Sequence, residues 1–251
     1  MKRLILFSIL FIFILPLIAN NLFLVENPTA GILSRGEARI NMKVFQNNGF
    51  LIGADVGLFD NFQFGLSVGG NEIVGRNEPE FNKVDYKAKF RIFNETLMFP
   101  AIAIGVDTQG HGRYFKEQNR YDIMSKGAYL VASKNYSLLG LFGFDIGFNY
   151  TFEDTGDFND EYDIFAGIYK TLGENLILFA DFSAGLNDRK LNNEEDIYDI
   201  LTRRRGFLNT GVEFQINDQL TIKFLMHDLF RNKHETKYFD RSILIDYRWF
   251  F

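Results

Sequence analysis

The chain closes on Arg241–Phe251, RSILIDYRWFF. Counting back by twos, Phe251, Trp249, Tyr247, Ile245 and Ile243 share one face, and Phe250, Arg248, Asp246, Leu244 and Ser242 share the other. Side chains alternate across a β-strand, so one face is apolar and aromatic and the other is mostly polar. A soluble protein that ended on an uncovered strand of this kind would invite edge-to-edge aggregation. A closed barrel in a bilayer needs such a strand: an apolar outer face, aromatics at the interface, and a first strand to pair with. An amphipathic strand on a soluble core is the competing reading, and the rest of the chain decides between them.

The same alternation recurs upstream. Ala38, Ile40, Met42 and Val44 alternate with Glu37, Arg39, Asn41 and Lys43, and Asn47-Asn48-Gly49 then marks a hairpin. Phe50 to Leu58 and Phe62 to Val68 repeat the pattern. After a polar connection over 71–82, Val84, Tyr86, Ala88, Phe90 and Ile92 alternate with Lys83, Asp85, Lys87, Lys89 and Arg91. A turn at Asn94-Glu95 leads to Ile102, Ile104 and Val106. A long loop is expected from Thr108 to Met124. A strand of undecided facing follows over 126–134, with a turn at Asn135-Tyr136. Further strands are expected at Phe142–Phe152, Tyr162–Ile168, Leu176–Ala184, Leu208–Phe214 and Leu220–Met226. The loops over 153–161, 188–205 and 231–239 separate them. The total is about twelve strands, each of roughly 9–11 residues, as a tilted membrane-spanning strand requires. After the first hairpin, connections alternate short and long, which places the long loops at one end and both termini at the other. The reading is an all-β fold: a single antiparallel up-and-down transmembrane barrel over residues 36–251, in the bacterial outer membrane.

Composition agrees. The 251 residues include 29 Phe and 11 Tyr but no Cys, so disulfides and thiolate metal sites are excluded. A net charge of -5 argues against a general nucleic-acid partner. Residues 1–19 read as a secretory signal: Lys2 and Arg3, an apolar run from Leu4 to Leu15, then Pro16 and Ala19. Residues 20–35 carry Pro28 and Gly31 without a clear period, and are expected to be a periplasmic lead segment at the barrel mouth.

The polar strand faces give the candidate lumen lining: Arg39, Lys43, Lys83, Lys87, Lys89, Arg91, Asp145, Asp163, Asp181, Glu213, Lys223, His227, Asp246 and Arg248. Basic groups gather on the first and fourth strands and acidic ones on the seventh to ninth. They either pair within a filled barrel or set a transverse field across a narrow water-filled pore. Inward glycines such as Gly53, Gly57, Gly143 and Gly147 indicate space, close chain approach or barrel bends. Catalysis has little support. Of the three histidines, His111 and His234 fall in loops, and Asp107 with His111 is the strongest hydrolase candidate. No metal-ligand spacing appears and no cofactor is expected. Arg203-Arg204-Arg205 could meet lipopolysaccharide phosphates or be a solvated charge run.

Two resemblances add to this. The ending, with Tyr247, Trp249 and Phe251, resembles the C-terminal signature of bacterial outer-membrane barrels, which implies recognition by the barrel assembly machinery. Asn27-Pro-Thr-Ala-Gly31, Lys87–Arg91, Pro100–Gly105 with Asp107 and Gly110, and Tyr129–Lys134 resemble segments of the YjbH-type outer-membrane proteins linked to exopolysaccharide production. That resemblance implies help in the passage or surface retention of a glycan, and supplies no catalytic residues. The expected function is a narrow channel or export-associated barrel for polar solutes, with polysaccharide among them. The alternative is a structural or adhesive barrel with a filled lumen, acting through its outer loops. An outer-membrane hydrolase ranks third.

Overall fold

The computed structural model describes residues 21–73, 76–155, 161–188, 205–233 and 238–251. The whole signal segment, residues 1–19, together with Arg203, Arg204 and His234, lies outside them. The strands are β1 (Glu37–Phe45), β2 (Gly49–Phe59), β3 (Phe62–Asn71), β4 (Glu80–Phe81), β5 (Asp85–Phe93), β6 (Ala101–Asp107), β7 (His111–Phe115), β8 (Arg120–Ile123), β9 (Gly127–Ser137), β10 (Leu141–Tyr150), β11 (Tyr162–Leu172), β12 (Leu176–Ser183), β13 (Phe207–Gln215), β14 (Leu220–His227) and β15 (Asp240–Phe250). β4 pairs antiparallel with the end of β3, and β7 and β8 form a separate hairpin. The other twelve make one closed antiparallel barrel.

Closure is made by the C-terminal strand. β1 pairs with β15 from Glu37↔Phe250 to Val44↔Ile243, and Phe251 donates its N–H to the Gly36 carbonyl at 3.0 Å. No barrel edge is left open there, which is how an apolar terminal strand is made safe. Connections 60–61, 94–100, 138–140, 173–175 and 216–219 lie at the end of the barrel that holds both strand termini. The long connections 72–84, 108–126, 151–161, 184–206 and 228–239 lie at the other.

Burial is inverted relative to a soluble protein. Ile40, Ile52, Leu66, Phe90, Ile104, Leu130, Phe144, Ile168, Leu178, Phe224 and Ile243 all point outward and are exposed. Asp85, Lys89, Asp145, Asp181, Asn209 and Asp246 are each 2 % exposed or less. A surface of Phe, Ile and Leu around a charged interior makes sense only where the outer solvent is hydrocarbon. The fold is that of bacterial outer-membrane β-barrels, with the apolar belt as its lipid-facing surface.

Three local expectations need correction, and one open facing is decided. The 108–124 loop contains β7 and β8, which fold inward: His111, Arg120 and Tyr121 are fully buried. The turn expected at Asn135-Tyr136 falls at 138–140, because Gly140 supplies the positive φ of 101° and Leu139 one of 45°. Asn135 instead binds Glu95 through its backbone N–H and its amide at 2.7 and 2.6 Å. The strand of undecided facing turns Tyr129, Val131 and Ser133 inward and Leu130 to lipid. Finally, Lys83 precedes β5 and stays a third exposed, 3.7 Å from Asp85, so it belongs to the rim.

Candidate functional site

The lumen is occupied by the chain's own lead segment. Leu24 donates to the Asn27 carbonyl at 3.1 Å and Thr29 to that of Leu22 at 3.2 Å, with Phe23 bridged to Pro28, so the segment doubles back as a small hairpin. Its tip, Val25-Glu26, reaches the long-loop end, where Lys43 and His227 close their strands. The return arm descends to β1, and Leu33 donates its N–H to Gln63 Oε1 at 2.9 Å on the way. Leu22, Leu24, Val25, Asn27, Thr29, Ala30, Ile32 and Leu33 are all buried.

Two walls hold it by opposite chemistry. On β5, the Lys89 ammonium donates to the carbonyls of Leu22, Thr29 and Gly31 at 3.0, 2.9 and 3.0 Å, and Arg91 Nε donates to Ala30 O at 3.1 Å. On β12, five strands away around the ring of twelve, Asp181 Oδ2 accepts the N–H groups of Val25, Glu26 and Asn27 at 2.9, 2.9 and 3.1 Å. Asn209 donates to its other oxygen at 2.7 Å. Ser133 links the hairpin to β10, accepting from Ala30 N–H at 2.7 Å while donating to Asp145. An inserted chain carries both donors and acceptors, and each must be met in a closed interior. The basic and acidic faces divide that task.

The remaining lining candidates pair mostly along the wall. Arg39 bridges the closing seam, with Asp55 on β2 at 2.9 Å and Asp246 on β15 at 2.7 Å. Arg248 lies 3.5 Å from Asp246 and 4.0 Å from Glu37. Lys223 and Glu213 face each other across β13–β14 at 2.8 Å. Lys87 lies 3.8 Å from Asp55, and Asp163 accepts the Leu186 N–H at 3.1 Å. On the outside, Tyr247 and Trp249 stack at 5.9 Å.

Apolar residues at inward positions went unnamed in the sequence reading. Tyr169, Ile177, Phe179 and Leu225 pack on Leu24 and Val25, and Ala101, Ala103, Tyr129, Val131 and Phe165 pack around Ala30. Apolar residues on the inward side of polar strand faces were the available signal that something covers them. Gly57 and Gly167 serve the same docking: a Cβ on the first would strike the Ser34 carbonyl, and on the second Leu24.

At the hairpin tip, residues far apart in sequence converge. Glu26 Oε1 lies 3.2 Å from Lys43 Nζ, 3.3 Å from His111 Nδ1 and 2.8 Å from His227 Nδ1. Burial pushes the Glu26 carboxyl up, but Lys43, His111 and His227 more than offset this and hold it well below its ordinary range. His111 Nε2 meets Asp240 Oδ2 at 2.9 Å, and His227 Nε2 meets Ser242 Oγ at 2.7 Å. Asp107, its supposed hydrolase partner, instead accepts the Gln109 N–H at 2.9 Å. With both ring nitrogens engaged and the side chain buried, His111 presents no base to the exterior.

No protein-family model and no curated protein matches the chain. Solved barrels do. A KdgM porin in complex with disordered oligogalacturonate aligns at 8% identity over 84% of this chain and 98% of its own, with a TM-score of 0.52. An outer membrane channel from Pseudomonas putida F1 aligns at 11% identity over 87% and 97%, TM-score 0.46. Omp33 of Acinetobacter baumannii aligns at 8% identity over 86% and 97%, TM-score 0.44. At these identities the likeness is one of fold: this chain is built like an outer-membrane β-barrel.

Proposed function

We propose that this protein is a plugged outer-membrane channel for small polar solutes, closed at rest by residues 21–35. The observation that carries the reading is the division of the hairpin's backbone between Lys89 and Asp181. The hairpin is docked by hydrogen bonds to these two charged side chains together with apolar packing on the wall. When it leaves, Lys87, Lys89 and Arg91 face Asp145, Asp163 and Asp181 across the vacated lumen, a transverse field that suits polar solutes. Glycan passage is the narrower form of this proposal and rests on the YjbH-type resemblance. Interactions with outer-membrane lipid, with lipopolysaccharide phosphates through the 203–205 cluster, and with the barrel assembly machinery through Tyr247, Trp249 and Phe251 are further parts of it.

Liposome swelling tests the reading. Liposomes carrying the Asp181→Ala variant are expected to admit small neutral and charged sugars, and wild-type liposomes to exclude them. A variant that retains heat-modifiable migration, exposes residues 21–35 to protease and still passes nothing would overturn the channel. It would favour the second reading, a structural barrel acting through its outer loops, which the filled lumen and the inward-folded β7–β8 hairpin support.

A further inference from the structure

We propose that Glu26, His111 and His227 form a binding site for a divalent transition-metal ion of the zinc class, which ties the hairpin tip to β7 and to the barrel wall. Glu26 Oε1 and the Nδ1 atoms of both histidines lie within 4.8 Å of one another. The carboxylate-to-imidazole separations are 3.3 and 2.8 Å. Ligands about 2.0–2.1 Å from a tetrahedral ion stand about 3.3 Å apart. The two imidazoles stack with ring centroids 4.0 Å apart at 17°, so one ring must turn for both Nδ1 atoms to face one ion.

The outer contacts orient the ligands. The Asp240 carboxylate only accepts, so His111 carries its proton on Nε2 and aims the Nδ1 lone pair at Glu26. Ser242 Oγ holds His227 Nε2 at 2.7 Å, and a hydroxyl can serve either tautomer of the ring. A carboxylate behind an imidazole is the arrangement that fixes the tautomer of metal-ligating histidines, and Asp240 supplies it for His111. His227 Nδ1 is buried and sits 2.8 Å from Glu26 Oε1.

Lys43 supplies a cation here, with its ammonium 3.2 Å from Glu26 and 3.3 Å from His111. It is the built-in competitor, and metal binding requires it to swing away. A cavity of about 30 Å³ borders Glu26, is lined by neither of the two histidines, and has room for a water. Two imidazoles and one carboxylate favour zinc over calcium or magnesium. The three ligands come from the lead segment, a loop hairpin and a barrel strand, so the ion would latch the plug. This consequence rests on the plugged-channel reading, but the site itself does not.

The test is calorimetric titration of zinc into untagged, chelator-stripped, refolded barrel, with folding checked by heat-modifiable migration. One ion per chain is expected, with no response to calcium. Glu26→Gln, His111→Ala and His227→Ala should each weaken binding more than about 100-fold, and Asp240→Asn about 10–100-fold. His234→Ala should leave it unchanged, and Lys43→Met should tighten it. Absence of zinc binding to the folded wild type, or binding that survives both His111→Ala and His227→Ala, would overturn the site. Binding that appears only in Lys43→Met would overturn it for the native chain. None of these results bears on whether the hairpin closes the lumen, which conductance reads separately.

Discussion

Lys89 and Asp181 do the same job from opposite walls, yet they are not equivalent. Lys89 satisfies three carbonyls of the hairpin, and Asp181 satisfies three N–H groups. A carbonyl left short of partners is tolerated better than a buried N–H left with none. The acidic wall should therefore be the stronger half of the clamp. The contrast also explains why the charges do not simply pair across the lumen: each wall spends its charge on a backbone lying between them.

The largest effect is expected from Asp181→Ala. Three hairpin N–H groups and Asn209 lose a charged acceptor, at a cost to docking of about 3–5 kcal/mol. Protease cleavage within residues 21–35 of the folded barrel should report it. Lys89→Met should release the hairpin less, by about 2–4 kcal/mol, and the same protease assay compares the two. Equal or reversed effects would break the proposed asymmetry. On the lipid side, Ile168→Lys puts a charge near mid-height of the outer belt. It should cost the barrel about 2–4 kcal/mol in denaturant unfolding without exposing the hairpin first. The smallest effect is expected from Glu213→Gln, which weakens a pair to Lys223 confined to neighbouring strands. A loss of about 1–2 kcal/mol in barrel stability, with protease resistance of 21–35 intact, would separate wall pairing from hairpin docking.

Strand number, closure and the outward face were legible because alternation has a period of two and lipid permits only apolar residues outside. The polar side of each strand was legible for the same reason. What covered that side was not. Residues 20–35 have no period, since a segment that doubles back on itself buries side chains such as Leu22, Leu24, Val25 and Leu33 at no regular spacing. Glu26, His111 and His227 come together only through the closed ring, and their spacing in sequence carries no trace of it. The inward β7–β8 hairpin was hidden because Gly110, Gly112 and the charges around them read as solvent-exposed loop.

The central claim is that inner-wall charges hold the lead segment in place and so keep the lumen shut. Planar-bilayer conductance of the wild type against the double variant Lys89→Met/Asp181→Ala tests it most directly. The account predicts a silent wild type and stable conductance steps in the folded double variant. Steady conductance by the wild type, or silence from a folded double variant whose hairpin is open to protease, would contradict it.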